Sequence, residues 1–355
     1  MKLLVATRKG LFQLGRSGAG WKVESIAFLG APVTAVAQAG ADLFAAVGHG
    51  HFGAKLHRLR DGRWEEVAVP KWPQKPAGPP EKDTMGRVIP WSLEQIWCLE
   101  ASGGTLFCGT LPGGLFRSGD AGASWTLIRS LWDREERREW FGGGYDFPGI
   151  HSIALDGRRV LAAVSCGGVW ASEDFGENWE LRGKGLYAAF MPPERKFDQR
   201  IQDVHRLARC AAAPEVVWVQ HHNGAFRSTD AGRSFAEIHV PPSSFGFAVA
   251  AHPRVPQTAW FVPAVKDELR VPVDSALVVS RTRDGGRSFE VLRRGLPQEH
   301  AYHLIYRHGI DVDAGGESLA MGSTTGALWS SDDGGDSWAT VSRDLPPVYA
   351  VRFAA

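Results

Sequence analysis

Short runs in which apolar and polar residues alternate recur along the whole chain, separated by turn-forming residues. Four of them follow one another between Val33 and Val69: VTAVAQA, DLFAAVG, AKLHRL and RWEEVAV. A period of two residues, bounded by Gly and Asp, is typical of β-strands joined by tight turns. Six groups of four such runs can be traced, whereas the first group has only KLLVAT, GLFQL and WKVESI. The pattern predicts an all-β protein of seven four-stranded antiparallel sheets.

The C-terminal run VYAVRFAA supplies the strand that the first group lacks. Pairing it with the N-terminal strands would complete the first sheet and leave no open edge between the first and last sheets. In the seventh group, YHLIYR (Tyr302–Arg307) is predicted as the first strand. We therefore predict a seven-bladed β-propeller, closed by its C-terminal strand, with residues 1–355 forming a single domain.

A second pattern marks the turn between the third and fourth strands of most blades. It reads Ser/Thr-x-Asp-x-Gly-x-Ser/Thr/Asn-aromatic, and it occurs at Ser118–Trp125, Ser172–Trp179, Ser228–Phe235, Thr282–Phe289 and Ser331–Trp338. The Asp side chain can accept hydrogen bonds from N–H groups of its own turn, and Gly tolerates the positive φ that the turn needs. Weaker copies end at Trp21 and Trp64, so the aromatic anchors number seven, spaced 43 to 61 residues apart. We call these turns the box turns.

Composition and charge narrow the classes of partner. A chain of 355 residues with 44% hydrophobic content can build a large core. Its net charge of +1 argues against a general nucleic-acid-binding or membrane-surface protein. No apolar run reaches the length of a membrane span, and the apolar start is interrupted early by Arg8 and Lys9. The four cysteines show neither metal-site spacing nor a dense disulfide pattern, so we expect a protein of the reducing cytoplasm.

The box turns are similar to the Asp-box, or bacterial neuraminidase repeat, and the chain resembles the sialidase-like β-propellers over nearly its whole length. Within them it looks most like the seven-bladed bacterial proteins called glycosyl-hydrolase-like, which have no settled reaction. The segments that carry this likeness are PWSLEQIW, PGIHSI, QHHNGAFRS, FGFAVAAHP and GLPQEHAY. Other relatives of the repeat include xyloglucan-cleaving enzymes, sortilin-type receptors and photosystem assembly factors. The resemblance implies a fold more strongly than a reaction.

The chain departs from the sialidase pattern. Sialidases have six blades, an early Arg-Ile-Pro element, three arginines that grip a carboxylate and a Tyr–Glu nucleophile pair. Here Arg87-Val-Ile-Pro90 resembles that element only loosely and lies in a connection between blades. No Tyr–Glu pair can be assigned. These differences argue against sialidase activity.

Histidines concentrate at one end of the predicted blades. His151 and His205 begin the first strands of blades 4 and 5, and His221 and His222 lie between the second and third strands of blade 5. In a propeller these positions share an end, which we call the loop end; the box turns lie at the opposite box end. Neutral imidazole ligates Zn²⁺ and other transition metals and also acts as a general acid or base.

We predict His151, His205, His221 and His222 as metal ligands or catalytic residues, with at most one of the adjacent pair directed at the site. Three imidazoles from two blades would make an open site for Zn²⁺ or another divalent transition metal. The alternative is that these histidines are hydrogen-bonded side chains lining a wet channel.

Polar residues at the same end are candidates for substrate binding, because charge-assisted hydrogen bonds would hold a small acidic or carbohydrate-like ligand. They are Arg87, Glu94, Gln95, Lys266, Glu268, Arg270 and His303. The alternative for the charged cluster is a solvated polar loop.

Two functions of different classes follow. The first is an enzyme of the hydrolase or lyase type that acts on a small polar or carbohydrate-like substrate at the histidine-rich end, with a divalent metal as cofactor. The second is a non-catalytic propeller that binds a ligand or a protein partner through its long connections, which carry Trp132, Trp140, Tyr145 and Phe190.

Overall fold

The computed structural model describes residues 1–18, 20–142 and 145–354. Each of seven sheets contains four antiparallel strands, and together they form a seven-bladed β-propeller, as predicted. The strands of blades 1 to 3 are β1 (Lys2–Thr7), β2 (Gly10–Ser17), β3 (Gly20–Ala27), β4 (Val33–Ala39), β5 (Asp42–Gly48), β6 (Ala54–Arg60), β7 (Arg63–Val67), β8 (Gln95–Ser102), β9 (Thr105–Leu111), β10 (Leu115–Ser118) and β11 (Thr126–Leu127).

The strands of blades 4 and 5 are β12 (Ile150–Asp156), β13 (Arg159–Val164), β14 (Gly168–Ser172), β15 (Glu180–Arg182), β16 (Val204–Cys210), β17 (Ala213–His221), β18 (Gly224–Ser228) and β19 (Ala236–Ile238). Those of blades 6 and 7, with the closing strand, are β20 (Gly246–Ala251), β21 (Ala259–Pro263), β22 (Val279–Thr282), β23 (Glu290–Leu292), β24 (Ile310–Val312), β25 (Leu319–Gly322), β26 (Leu328–Ser331), β27 (Ala339–Ser342) and β28 (Val348–Ala354).

Helix is confined to the connections. Among the described residues there is one α-helix, α1 (Arg129–Trp132), in the connection between blades 3 and 4. Short 3₁₀ turns occur at Gly50–Phe52, Glu135–Glu139, Gln199–Ile201 and Val273–Ser275.

The chain divides into two compact units. One consists of Met1–Pro32 and His205–Ala355, and the other of Val33–Val204. Each has its own apolar clusters: Trp260, Trp329 and Trp338 belong to one in the first unit, and Trp140, Trp170 and Trp179 to one in the second. The single domain over residues 1–355 stays a prediction.

The C-terminal strand completes blade 1, as the alternation of VYAVRFAA predicted. Strand β28 pairs antiparallel with β1 from Lys2–Ala354 to Thr7–Val348. Val348 and Val351 are buried with Leu3 and Val5 in one apolar cluster. The sheet order is therefore β28-β1-β2-β3, and the last strand of the chain is the first of the blade.

The box turns share one hydrogen-bond network. In blade 5, Asp230 Oδ1 accepts from Ser228 Oγ (2.7 Å) and from the Ser234 N–H (2.9 Å), and its Oδ2 accepts from Ser234 Oγ (2.6 Å). Gly232, at φ 83°, donates its N–H to Ser228 Oγ. The boxes around Asp120, Asp174, Asp284 and Asp333 have the corresponding bonds.

The prediction for the first strand of blade 7 was wrong. Tyr302–Arg307 is not a strand, and the blade begins instead with β24 at Ile310. Leu304 is buried in one apolar cluster and Ile305 in another, so the alternation reflects a connection packed on two sides. His303 therefore lies in the connection that precedes the blade.

Candidate functional site

The loop end of blade 5 carries the best-defined polar group. His205 is the second residue of β16, and His222 lies in the turn between β17 and β18. Asp203 directly precedes β16, and residues two apart on an extended chain point to the same side. Both Asp203 and His205 are only 2% exposed, whereas His222 is partly exposed.

These three side chains form a group with the chemistry of a metal site. One ligand atom from each of Asp203, His205 and His222 lies within 4.8 Å of the others, and this is the one such group of three among the described residues. Two donors on one tetrahedral Zn²⁺ would be about 3.3 Å apart, given Zn–N lengths near 2.0 Å. To bind one ion, the side chains would have to approach one another by about 1.5 Å at most. His222 is placed to move, because it is partly exposed and lies in the turn between β17 and β18.

A backbone contact fixes which nitrogen His205 presents. Its Nδ1 lies 2.7 Å from the carbonyl oxygen of Gly246. Because a carbonyl can only accept, Nδ1 carries a proton, and in the neutral ring the lone pair is on Nε2. This is the arrangement by which proteins orient a metal-binding imidazole. Glycine is needed at position 246 for a separate reason, because a Cβ there would lie 2.7 Å from the carbonyl oxygen of Val262.

Aromatic rings wall the group on the side of blade 6. The His205 ring stacks on Phe247, with centroids 4.4 Å apart and planes 8° from parallel. Phe245 meets both His205 and His222 edge to face, at 6.1 Å and 6.0 Å. This apolar wall lowers the local dielectric and so strengthens electrostatic interactions at the site.

Two arginines lie against the same phenyl ring. The guanidinium carbons of Arg270 and Arg307 are each 5.3 Å from the centroid of Phe247. Arg270 also pairs with Asp267 through Nε and Nη2. Among the predicted substrate-binding residues, Arg270 thus lies against the phenyl ring that stacks on His205, whereas Lys266 and Glu268 form an exposed pair at 3.7 Å.

His221 has a different structural role from His222. It is fully buried, its Nδ1 accepts the N–H of Asn223 at 3.0 Å, and its ring meets Phe226 edge to face. The bond caps the turn that carries His222. The sequence predicted at most one of the adjacent pair at the site, and His222 is the one grouped with His205.

The remaining predicted residues of the second unit lie around Trp97 or in the loop before β8. His151 is fully buried and contacts Trp97, which also contacts Tyr145; Tyr145 in turn donates a hydrogen bond to Gln95. Arg87 donates to the buried carboxylate of Asp83, and Glu94 accepts from Ser92. His151, like Arg87, Glu94 and Gln95, stays a predicted site residue without a place in the blade 5 group.

A partly buried carboxyl, that of Asp311, lies on the first strand of blade 7. Burial raises the pKa of Asp311, and the nearby guanidinium groups of Arg352 and Arg206 oppose that rise. Asp311 Oδ2 accepts the N–H of Phe353 at 2.9 Å, which ties β24 to the closing strand β28.

Sequence reasoning missed Asp203 and Phe247. A signal for Asp203 existed, because Asp-Val-His at the start of a predicted strand places the acid and the imidazole on one side. Phe247 looked like any core aromatic residue, since stacking across neighbouring blades leaves no pattern within one strand.

Comparison with known proteins supports the fold. No protein-family model matches the chain, and no curated protein matches it. The GH74 xyloglucanase from Xanthomonas campestris aligns with a TM-score of 0.64 at 18% identity, over 96% of this chain and 52% of the enzyme. The chain thus spans about half the length of that enzyme.

Other structural matches are smaller proteins. YCF48 from Cyanidioschyzon merolae aligns with a TM-score of 0.54 at 13% identity, over 89% of this chain and 87% of YCF48. The computationally designed Ika8 protein aligns with a TM-score of 0.55 at 10% identity, over the whole chain and 88% of the design. At these identities the likeness shows the propeller fold alone. In the described part of the chain, none of the helices is long and apolar enough to span a bilayer.

Proposed function

We propose that the protein is a metal-dependent enzyme of the hydrolase or lyase type, with Asp203, His205 and His222 as the ligands of a divalent transition metal. The observation that carries the proposal is the convergence of two imidazoles and one carboxylate within 4.8 Å. Two histidines with one carboxylate leave coordination positions open for water and substrate. An ion held by these residues would supply Lewis-acid chemistry, the polarisation of a carbonyl or phosphoryl oxygen.

The protein's own residues would prepare the site before the ion binds. The Gly246 carbonyl holds the His205 ring in one tautomer, and Phe247 fixes its plane. Asp203 is buried, so its carboxylate is shielded from water and interacts strongly with a cation. Arg270 and Arg307 add positive charge beyond Phe247, which favours a substrate that is polar or anionic.

The substrate class is small, polar or carbohydrate-like. The fold likeness to the GH74 xyloglucanase makes glycosides natural first probes. The competing function is a non-catalytic binding propeller. A structure of YCF48 bound to the D1 peptide, which aligns at 13% identity, shows that a propeller of this shape can bind a peptide.

Metal titration tests the proposal. The purified protein, freed of metal by a chelator and dialysed, should bind one Zn²⁺ in isothermal titration calorimetry. We expect His222→Ala and Asp203→Asn to weaken binding at least about tenfold, as second-sphere losses alone already cost 10–100-fold. His239→Ala is the matched control, because His239 is an exposed histidine of the same blade.

Activity is then screened on nitrophenyl glycosides, esters and phosphates with and without added metal. Turnover that returns with metal and is lost in His222→Ala supports the enzyme. A protein that binds no ion stoichiometrically, or that binds it equally well in His222→Ala, contradicts the metal site. Metal binding without any turnover would favour the binding propeller.

A further inference from the structure

A cavity separate from the blade 5 group lies at the loop end of blade 7. Its volume is about 460 Å³, and all its lining residues fall between Gly295 and Arg343, within one unit of the chain. Apolar walls come from Leu296, Pro297 and Trp329, and polar groups from His303, Thr325 and Arg343. A concave apolar site with a few convergent polar groups is the usual form of a small-molecule pocket.

Three side chains in and beside the cavity form a hydrogen-bonded chain. Ser323 Oγ and Thr325 Oγ1 are 2.8 Å apart, and Thr325 Oγ1 lies 2.5 Å from His303 Nδ1. Ser323 Oγ also accepts the backbone N–H of Ala327 at 3.1 Å. The chain thus begins at a backbone donor and ends at an imidazole nitrogen.

The buried hydroxyl limits the direction of one link of this chain. Ser323 is fully buried, so leaving its proton without an acceptor would cost free energy. Its acceptors are Thr325 Oγ1 at 2.8 Å and His303 Nδ1 at 3.4 Å. The exposed Thr325 hydroxyl can accept from Ser323 and donate to Nδ1, and in this arrangement Nδ1 is the acceptor at the end of the chain.

With Nδ1 as the acceptor, His303 is a neutral ring that carries its proton on Nε2. Burial lowers the pKa of His303, which agrees with a neutral imidazole near pH 7. Trp329 holds the ring edge to face at 4.9 Å, so the donor is fixed in orientation. A ligand that meets this imidazole at Nε2 would meet an N–H donor.

Arg343 supplies the positive charge of the cavity. It is exposed at the wall, and no described acidic residue forms an ion pair with it. A guanidinium with open donors and a neutral N–H donor are complementary to a carboxylate, which accepts up to four hydrogen bonds. Leu296 and Trp329, both nearly fully buried, would face the rest of the ligand.

We propose that this cavity binds a small monocarboxylate with an apolar body, its carboxylate held by His303 Nε2–H and Arg343 and its body against Leu296, Pro297 and Trp329. The site shares no residue with the blade 5 group, so it stands or falls independently of the proposed metal chemistry.

Paired probes test the proposal. Phenylacetate and its neutral amide, phenylacetamide, are titrated into the full-length protein while histidine side-chain ¹⁵N signals are recorded. Phenylacetate should shift the His303 signals and bind at least about tenfold more tightly than the amide, since hydrogen bonds to charged groups contribute more than neutral ones. Arg343→Gln should remove most of that preference, whereas Arg294→Gln, on an exposed arginine outside the cavity lining, should keep it.

Thr325→Val tests the hydrogen-bonded chain itself. Without the Thr325 hydroxyl, Nδ1 loses its donor, so the ¹⁵N signals of His303 should change from one tautomer to a mixture and phenylacetate should bind more weakly. Thr324→Val, on the neighbouring threonine outside the cavity lining, should change neither. His222→Ala should leave phenylacetate binding intact. Equal binding of acid and amide, unchanged affinity in Arg343→Gln, or no binding up to about 20 mM would overturn the proposal.

Discussion

The polar side chains at the two ends of blade 5 are used in different ways. At the box end, Asp230 has both carboxylate oxygens occupied by donors of its own turn. At the loop end, His205 uses Nδ1 to fix its ring against the Gly246 carbonyl, and its side chain converges with those of Asp203 and His222. The box network recurs in four further blades, whereas the group of Asp203, His205 and His222 occurs once among the described residues. A polar group satisfied within its own turn supports the fold, and one that converges with other possible ligand atoms can support chemistry.

The same contrast distinguishes the loop ends of the other blades. Blade 6 places Arg270 against Phe247, and blade 7 encloses His303 in a cavity. No shared residue pattern links these loops, because each meets different neighbours. Repetition along this chain therefore marks structure, and departure from repetition marks the places to search for function.

Removing a box carboxylate should give the largest effect on stability and none on binding. Asp230→Ala or Asp333→Ala leaves turn donors without an acceptor, which should lower the free energy of unfolding by about 1–3 kcal/mol. Denaturant unfolding measures the loss, and zinc and phenylacetate titrations should match the unchanged protein. Asp344→Ala is the control, because the Asp344 carboxylate accepts no hydrogen bond among the described residues. A folded Asp230→Ala variant that no longer binds metal would break the division between the two ends.

The sequence predicted the seven-bladed framework well because the signals for it are local. Strand alternation and the box turns are local, so Asp230, Gly232 and Phe235 can be read within eight residues of one another. Closure by β28 was also predictable, since blade 1 lacked one strand and the C-terminal strand had no other sheet to pair with.

The candidate site was predicted only in part. His205 and His222 were chosen from their positions in the strand and loop, but nothing in the sequence separates them from His151, whose ring packs on Trp97. Burial, tautomer and neighbouring rings depend on contacts between distant segments. The failed strand at Tyr302–Arg307 has the same origin, because two separate apolar clusters produced an alternation that looked local.

Acid should weaken the box end through its carboxylates. Hydrogen bonds from Ser288, with a smaller one from Thr282, lower the pKa of Asp284 to about 2, and Asp120 and Asp174 are lowered to about 2 in the same way. Because these pKa values lie below the unfolded value of about 3.9, the stability they contribute is present above pH 4 and is lost as the pH falls towards 2.

Asp284→Asn checks this pH window. The amide does not titrate, so its free energy of unfolding should fall less steeply between pH 4 and 2.5 than that of the unchanged protein. Asp344→Asn should keep the original slope. If Asp284→Asn and the unchanged protein lose stability in parallel, the box carboxylates are not the groups that respond to acid.

The smallest expected effect concerns His252, the box-end counterpart of His205. His252 follows the last residue of β20, its Nδ1 accepts the N–H groups of Arg254 and Val255, and its ring stacks on Trp260. Burial, the largest influence, lowers its pKa. The neutral ring thus contributes stability that is complete above about pH 6.5 and is lost as the pH falls through the lower folded-state pKa.

His252→Asn keeps an acceptor oxygen without titrating, so the unchanged protein should lose stability relative to this variant, by about 1 kcal/mol or less, between pH 7.5 and 5. Zinc binding at pH 7.5 should be the same in both proteins. Parallel stability curves, or a loss of zinc in His252→Asn, would show that this histidine does not have the purely structural role that its two backbone bonds indicate.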